Sequence, residues 1–180
     1  MSQGQGFTLL ELLVTVAVAT ILMSIAIPSY RQYVISSQRA DASTSLFASL
    51  QRARSEAITR NSSIIMCQRN YYSTGAASCD TEADGTWEEG WIVMTSDGNF
   101  SAGGEPDANA QVLLINDPVG GNISVSTTMA VSGYVMFNNA GRLDETASFT
   151  ICAAGTTVGR QIEMGLSGYL GLREINTCPG

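Results

Sequence analysis

The sequence predicts an α+β protein in which one long N-terminal helix packs on an antiparallel β domain. Two patterns favour this class. Residues 7–27 are almost continuously apolar, and residues 29–60 carry apolar residues at helical spacing. Beyond residue 61 the period changes to short β-prone runs, which are separated by turn signals such as Asp117-Pro118 and Gly120-Gly121.

Eight short runs are predicted to form the strands of the β domain. Their bounds are 63–69, 90–96, 111–116, 122–128, 134–138, 148–153, 161–166 and 169–174. The segments 70–89 and 97–110 are long, polar and acidic, so we expect loops there. Trp87 and Trp91 are expected to be core or loop anchors, because aromatic side chains carry much of a domain's packing.

Residues 28–61 are predicted to form the second, amphipathic half of the helix. Apolar residues spaced by three or four positions indicate one buried face. They are Leu46, Leu50, Ala53 and Ala57. Phe47, Ala48 and Ile58 would widen this stripe. Residues 29–45 have a weaker stripe, as expected where no sheet covers the helix.

The charge pattern argues against nucleic acid as a partner. All nine basic residues are Arg, and 16 acids bring the net charge to −7. Residues 61–180 hold four Arg and 13 acids, a net charge of −9. Nucleic-acid surfaces are usually basic, because phosphate contacts supply most of the affinity.

The sequence contains no His, which removes the commonest general base and metal ligand. Ser–His–Asp and Cys–His catalysis are therefore excluded within this chain. Glu88 and Glu89, or the acids at 80, 82 and 84, could in principle act as acid and base, and the same acids could bind Ca²⁺. They lie in predicted loops rich in Gly, Ser and Thr, however, where we expect acids to be simply solvated. The full EF-hand loop and its closing Glu are also missing. We expect no catalytic residue, no metal and no cofactor.

Four cysteines indicate a disulfide framework: Cys67, Cys79, Cys152 and Cys178. None forms a C-x-x-C pair, so zinc and thioredoxin-like sites lack their spacing. An even number in an exported domain predicts two disulfides. Of the three possible pairings we favour the more local, Cys67–Cys79 and Cys152–Cys178. Four buried free thiols in a cytosolic protein are the alternative.

Residues 7–27 form an apolar segment with a single charge, Glu11. As a helix this segment spans roughly 30 Å, enough to cross the bilayer core. Pro28 follows directly, lacks an amide donor, and should bend or interrupt the helix. A lone carboxylate within a membrane segment costs on the order of a few kcal/mol and usually marks function.

Three interpretations of this segment compete. A secretory signal peptide would explain Ala17-Val18-Ala19 as a cleavage site, but no Lys or Arg precedes Phe7 and Glu11 interrupts the apolar core. An ordinary membrane anchor explains the length but not Glu11. A third interpretation accounts for all of these features.

The sequence Gly6-Phe7-Thr8-Leu9-Leu10-Glu11, followed by the apolar run and Pro28, resembles the N-terminus of type IV prepilins and pseudopilins. The resemblance implies the type IV pilin fold, with a kink at Pro28. It implies a leader of residues 1–6, a prepilin peptidase that cuts between Gly6 and Phe7, and methylation of Phe7. It also implies a single pass through the bacterial inner membrane, with the β domain at 62–180 in the periplasm, and later residence in a pilus or pseudopilus.

Glu11 would be the fifth residue of the mature chain, and the resemblance implies that it docks the α-amino group of another subunit. In a low-dielectric bundle such a pair is strong and an unpaired carboxylate is penalised, so pairing would fix the axial register. The expected partners are the prepilin peptidase, other minor pilins or pseudopilins, the major pilin, the inner-membrane assembly platform and the lipid bilayer.

Two features depart from the prepilin pattern. The leader carries no Lys or Arg. Arg31 and Arg39 follow the apolar segment, and the positive-inside rule would place that side in the cytoplasm. The family orientation is the reverse, with the leader in the cytoplasm and the globular domain outside. The four cysteines fit an exported domain, so we follow the family orientation.

From Gln51 onward the chain resembles the globular domain of H-type minor pseudopilins and FimT- and FimU-like minor pilins. The motifs are 51–61, 64–67, 87–93, 137–142, 149–152 and 160–164. Three functions follow: a minor pilin that helps prime type IV pilus assembly, an H-type pseudopilin of a type II secretion system, or a DNA-uptake receptor. FimT-like receptors carry a basic Gly-Arg-x-Arg motif, of which residues 168–173 retain only Arg173. The cysteines favour the minor pilin.

Overall fold

A computed structural model describes residues 8–70, 78–80, 86–96, 110–128 and 133–178. The chain divides into two compact units, the first ending at Ser37 and the second beginning at Gln38. The described part of the first unit is almost entirely helical. The second unit contains the rest of the helix and the strands.

The predicted N-terminal helix is confirmed as α1 (Leu9–Arg60), 52 residues long. It ends at Arg60, because the next residue, Asn61, adopts a left-handed φ of 50°, and the Ser62 N–H donates to the Ala57 carbonyl at 3.2 Å. This is a common way for a helix to stop. The helix runs through Pro28 without a break, because a proline removes one hydrogen bond and the flanking turns keep theirs. A bend at Pro28 stays a prediction.

All eight predicted strands are present, with ends within two residues of the expected positions. They are β1 (Ser63–Gln68), β2 (Trp91–Ser96), β3 (Val112–Ile115), β4 (Ile123–Thr127), β5 (Tyr134–Phe137), β6 (Ala147–Ala153), β7 (Gly159–Met164) and β8 (Leu170–Ile175). A 3-10 helix, Trp87–Glu89, precedes β2. Most of the predicted loops at 70–89 and 97–110 lies outside the described residues.

The strands form two separate four-stranded sheets, which the sequence did not predict. The first has the order β3-β2-β1-β5 and the second the order β4-β6-β7-β8. Every pairing between these strands is antiparallel, as predicted. β1 lies inside the first sheet because it pairs with both β2 and the distant β5.

The predicted stripe on α1 is the helical side of the core of the second unit. Its four members are fully buried: Leu46, Leu50, Ala53 and Ala57. Both tryptophans are also buried, as predicted, and Trp87 packs edge-on against Phe149 with ring centroids 4.7 Å apart. Such aromatic pairs add to the free energy of burying apolar area.

The limits of the stripe differ from the prediction. Ala48 and Ile58 are exposed, so they do not widen it. Both lie around the helix from the Leu46–Ala57 row, and Ile58 lies beside the Gly141 turn instead of in the core. The buried face also begins earlier than expected, at Ala42 and Ser43. Small side chains let α1 approach its neighbours there, and the apolar pattern gave no sign of it.

Candidate functional site on the N-terminal helix

α1 begins with an N-cap at Thr8. The Glu11 N–H donates to Thr8 Oγ1 at 3.2 Å, and the Leu12 N–H donates to the Thr8 carbonyl at 3.2 Å. Thr followed three residues later by Glu is the sequence of a capping box. Glu11 is exposed in the first turn, where the helix dipole favours negative charge. Its carboxylate is therefore accessible to a cation on another molecule.

The first half of α1 presents apolar side chains on every side. More than half of each of the following residues is exposed: Leu9, Leu10, Leu12, Leu13, Val14, Val16, Val18, Ile21, Leu22, Met23, Ile25 and Ile27. Within the described part of the chain, α1 is the one helix long and apolar enough to cross a membrane. A helix that is apolar all round needs an apolar environment, and the described residues do not cover this part of α1.

The predicted processing residues Gly6 and Phe7 lie outside the described residues, so cleavage and methylation there stay predictions. The backbone of Pro28 lies within α1.

Polar contacts fix the second half of α1 to the β domain. Arg160 Nη1 donates to Ser43 Oγ at 3.2 Å. Asn116, which follows β3, donates from Nδ2 to Ser49 Oγ at 3.0 Å and accepts at Oδ1 from Ser45 Oγ at 3.1 Å. These contacts link α1 to β7 and to the end of β3.

Arg54 connects α1 to two turns of the β domain. Its Nε donates to the Gly141 carbonyl at 3.2 Å, and its Nη2 donates to the Ser167 carbonyl at 3.3 Å. Gly168 has a positive φ of 78°, and a Cβ there would collide with the Gly141 carbonyl oxygen. The predicted turns at 138–141 and 167–168 therefore meet under one guanidinium group.

Both predicted disulfides are present. Cys67 in β1 is bonded to Cys79, and Cys152 in β6 is bonded to Cys178. They close loops with sequence separations of 12 and 26 residues, and bridges of this kind typically stabilise a fold by about 2–4 kcal/mol. Disulfides persist in oxidising compartments, which fits an exported domain.

Arg173, the remaining basic residue of the stretch compared with the DNA-uptake motif, is paired within its own sheet. Its Nη2 lies 2.7 Å from Glu163 Oε1 and donates to Gln161 Oε1 at 2.6 Å. The neighbouring Glu174 adds a further negative charge. A guanidinium held this way offers little attraction to a phosphate.

The prediction that the loop acids are simply solvated is wrong for Glu88. This half-buried carboxylate accepts a hydrogen bond from the Val125 N–H, and the Glu88 carbonyl accepts one from the Val119 N–H at 2.8 Å. Glu88 thus ties the 3-10 helix to β4. Residues 82 and 84, also considered as ligands, lie outside the described residues.

Two family models match this sequence. The model of the type II transport protein GspH matches residues 42–168, and that of the prokaryotic N-terminal methylation motif matches residues 1–27. The first covers most of the chain. The chain belongs to the GspH family.

The fold of this GspH-family chain is that of a solved type IV minor pilin. It is similar to FimU from Pseudomonas aeruginosa in two crystal forms. One is 21% identical, with 79% of this chain and 96% of FimU covered and a TM-score of 0.59; the other is 22% identical, with 78% and 99% covered and a TM-score of 0.55. At this identity the likeness shows the shared fold, so the predicted type IV pilin fold is confirmed.

Sequence reasoning missed the polar contacts that attach α1 to the rest of the GspH-family domain. Asn116 and Arg54 determine how α1 is attached, yet neither stands out in a periodicity pattern. The Gly141 and Gly168 turns could have suggested a nearby donor, because their carbonyls need partners. Which side chain donates the hydrogen bond to these carbonyls depends on the tertiary fold.

Proposed function

We propose that this chain is a minor pilin, a structural subunit that helps prime the assembly of a type IV pilus. The observation that carries the proposal is the contrast within α1: an exposed apolar half with Glu11 in its first turn, joined to a half buried in a disulfide-bonded domain. A chain built in this way is suited to insertion first in a bilayer and then among the helices of a filament.

In this proposal residues 1–6 are the leader, cleaved between Gly6 and Phe7 by a prepilin peptidase, and Phe7 is methylated. The match to the N-terminal methylation motif supports this processing. Residues 7–27 hold the chain in the inner membrane, with the disulfide-bonded domain in the periplasm. Other minor pilins, the major pilin and the assembly platform are the protein partners, and the chain is not an enzyme.

Glu11 has the docking role in this proposal. Its carboxylate lies in the first helical turn on an apolar helix, where an incoming α-amino group would form a strong pair. We expect Glu11→Gln to reach the membrane but to enter filaments at least about tenfold less, the effect of losing roughly 1.4 kcal/mol. Quantitative immunoblotting of sheared filaments against whole membranes measures this ratio.

The matched control for Glu11→Gln is Glu56→Gln, which removes one acid from a half-exposed position on the domain-bound half of the same helix. It should enter filaments normally. Equal incorporation of Glu11→Gln and the wild type would sink the docking role. Replacement of Gly6 by a bulky residue should leave the precursor uncleaved. Normal cleavage of that variant would refute the cleavage position.

The second candidate is an H-type minor pseudopilin of a type II secretion system, which the description of the matching family model favours. A deletion strain separates the two. Loss of surface pili and twitching with normal enzyme secretion supports the minor pilin, and the opposite phenotype supports the pseudopilin. A DNA-uptake receptor has less support, because Arg173 is paired with Glu163 on a domain rich in acids.

A further inference from the structure

We propose that a cleft between β5 and the segment leading into β6 receives an arginine or lysine side chain from a neighbouring pilin-type subunit. This inference rests on the proposed function, because it names one contact that a filament subunit makes with the next. It concerns the second unit alone and does not involve Glu11 or the apolar half of α1.

The cleft has a volume of about 310 Å³. Residues 134–136 of β5 line one side. Leu143, Asp144, Glu145 and Ala147 line the other. Among the described strands β5 pairs with β1 alone, so it is an edge of its sheet and the cleft lies beside that edge.

The inner walls of the cleft are apolar and well supported. Leu143 and Ala147 are buried, and Val135 is buried on β5. Tyr134 and Met136 are half-buried and pack against the cluster that contains Ile65 and the Cys67–Cys79 disulfide. The aliphatic stem of a long side chain would find contacts here, as such stems do along apolar surfaces.

Asp144 and Glu145 are both exposed, and within the described residues neither forms an ion pair. Arg142 precedes them in sequence but does not pair with them either. Most other described acids of the β domain already form an ion pair or a hydrogen bond within the chain. Glu163, Glu174 and Asp117 lie within 4.0 Å of an arginine, and Glu88 accepts a backbone hydrogen bond.

An apolar cleft with two adjacent carboxylates at its rim fits a cation carried on an aliphatic stem. The ring of Tyr134, which lines the cleft, offers a face for a cation–π contact. A metal ion fits less well, because no group of three His, Cys, Asp or Glu in the described residues could hold one.

A second copy of this chain is a poor occupant. Each copy carries a net charge of −7, and the residues after 60 carry −9, so two such domains repel each other. A different subunit with a basic face would be attracted instead. Complementary charge of this kind selects one partner over another.

The test uses the full chain in its host cell, with benzoylphenylalanine at Thr146 as a photo-crosslinker. Thr146 is exposed and adjoins Glu145 without lining the cleft. We expect an adduct with a protein that carries its own prepilin N-terminus, joined near an Arg or Lys. The double variant Asp144→Asn/Glu145→Gln should reduce this adduct at least about tenfold, which corresponds to roughly 1.4 kcal/mol.

The matched control is Asp117→Asn/Glu174→Gln, which changes the net charge equally but lies away from the cleft. It should leave the adduct unchanged. An adduct that persists in the cleft variant, one formed with a second copy of this chain or with lipid, or none at all overturns the proposal. Leader cleavage is scored on the same gel: an uncleaved chain counts against the proposed function, whereas a cleaved chain without adduct counts against the cleft alone.

Discussion

The two halves of α1 share one backbone but differ in what surrounds their side chains. Leu9 and Ile21 are 79% and 62% exposed, whereas Leu46 and Leu50 are fully buried. In the second half the buried stripe has a partner within the chain. In the first half apolar residues occur on all sides and have no such partner among the described residues. The sequence therefore encodes helix along all of α1, but the part of the chain that the structure describes supplies packing partners for only the second half.

The largest difference between the two halves is expected when one apolar side chain in each is shortened to Ala. Leu50→Ala leaves a cavity in the core, so we expect the free energy of unfolding to fall by about 3 kcal/mol. Ile21→Ala should leave it unchanged. Urea titration of the full chain in detergent micelles, followed by near-ultraviolet circular dichroism, measures both. Similar losses in the free energy of unfolding for the two variants would contradict the distinction between a buried and an exposed half of α1.

A smaller effect is expected from the guanidinium that joins the second half to the turns. Arg54→Met keeps the stem but removes the hydrogen bonds to the Gly141 and Ser167 carbonyls. We expect a loss of about 1–2 kcal/mol in the same urea titration. Arg52→Met, an exposed neighbour, is the control and should have almost no effect. If both variants behave alike, the contacts of Arg54 are not important for stability.

In the first half of α1, the stability of the first helical turns depends on the N-cap at Thr8. Thr8→Ala removes the acceptor for the Glu11 N–H, which typically costs a helix about 1 kcal/mol. We expect faster hydrogen exchange of the amides in the first turns of α1 and an unchanged urea midpoint for the domain. Thr8→Ser, which keeps the hydroxyl, should restore slow exchange. A shift in the domain midpoint with Thr8→Ala would show that the halves are coupled.

The smallest effect concerns a surface pair at the end of α1. The hydrogen bond from Arg60, 2.7 Å long, lowers the pKa of Glu56 below its ordinary value. Because the folded pKa is depressed, this pair stabilises the fold above the unfolded pKa and is lost as pH falls through the folded value. Thermal unfolding at pH 7 and pH 3 should show a small loss that Glu56→Gln removes. High salt should weaken it as well.

Local pattern was enough to predict α1, the eight strands and the apolar stripe. Helical and strand periods are written in short windows of sequence, and so are the turns at 138–141 and 167–168. The disulfide pairing was also predictable, because locality favoured Cys67–Cys79 and Cys152–Cys178. The processing residues were inferred from the motif around Gly6 and Phe7.

The division into two sheets could not be predicted in this way. β1 pairs with β5, about 70 residues later in the chain, and the sequence of neither strand indicates that it pairs with the other. The same holds for Asn116 between Ser45 and Ser49, and for the cleft at Asp144 and Glu145. These arrangements depend on tertiary contacts between distant segments, which single-sequence periodicity does not contain.

The burial of both tryptophans gives the chain a built-in optical reporter. Trp87 and Trp91 are the two tryptophans of the sequence, and both lie in the core of the second unit. Indole emission therefore reports on the domain alone, and the apolar half of α1 is silent at that wavelength. A tryptophan introduced in the first half would add a separate signal, so one cuvette could follow insertion into lipid and folding of the domain as independent events.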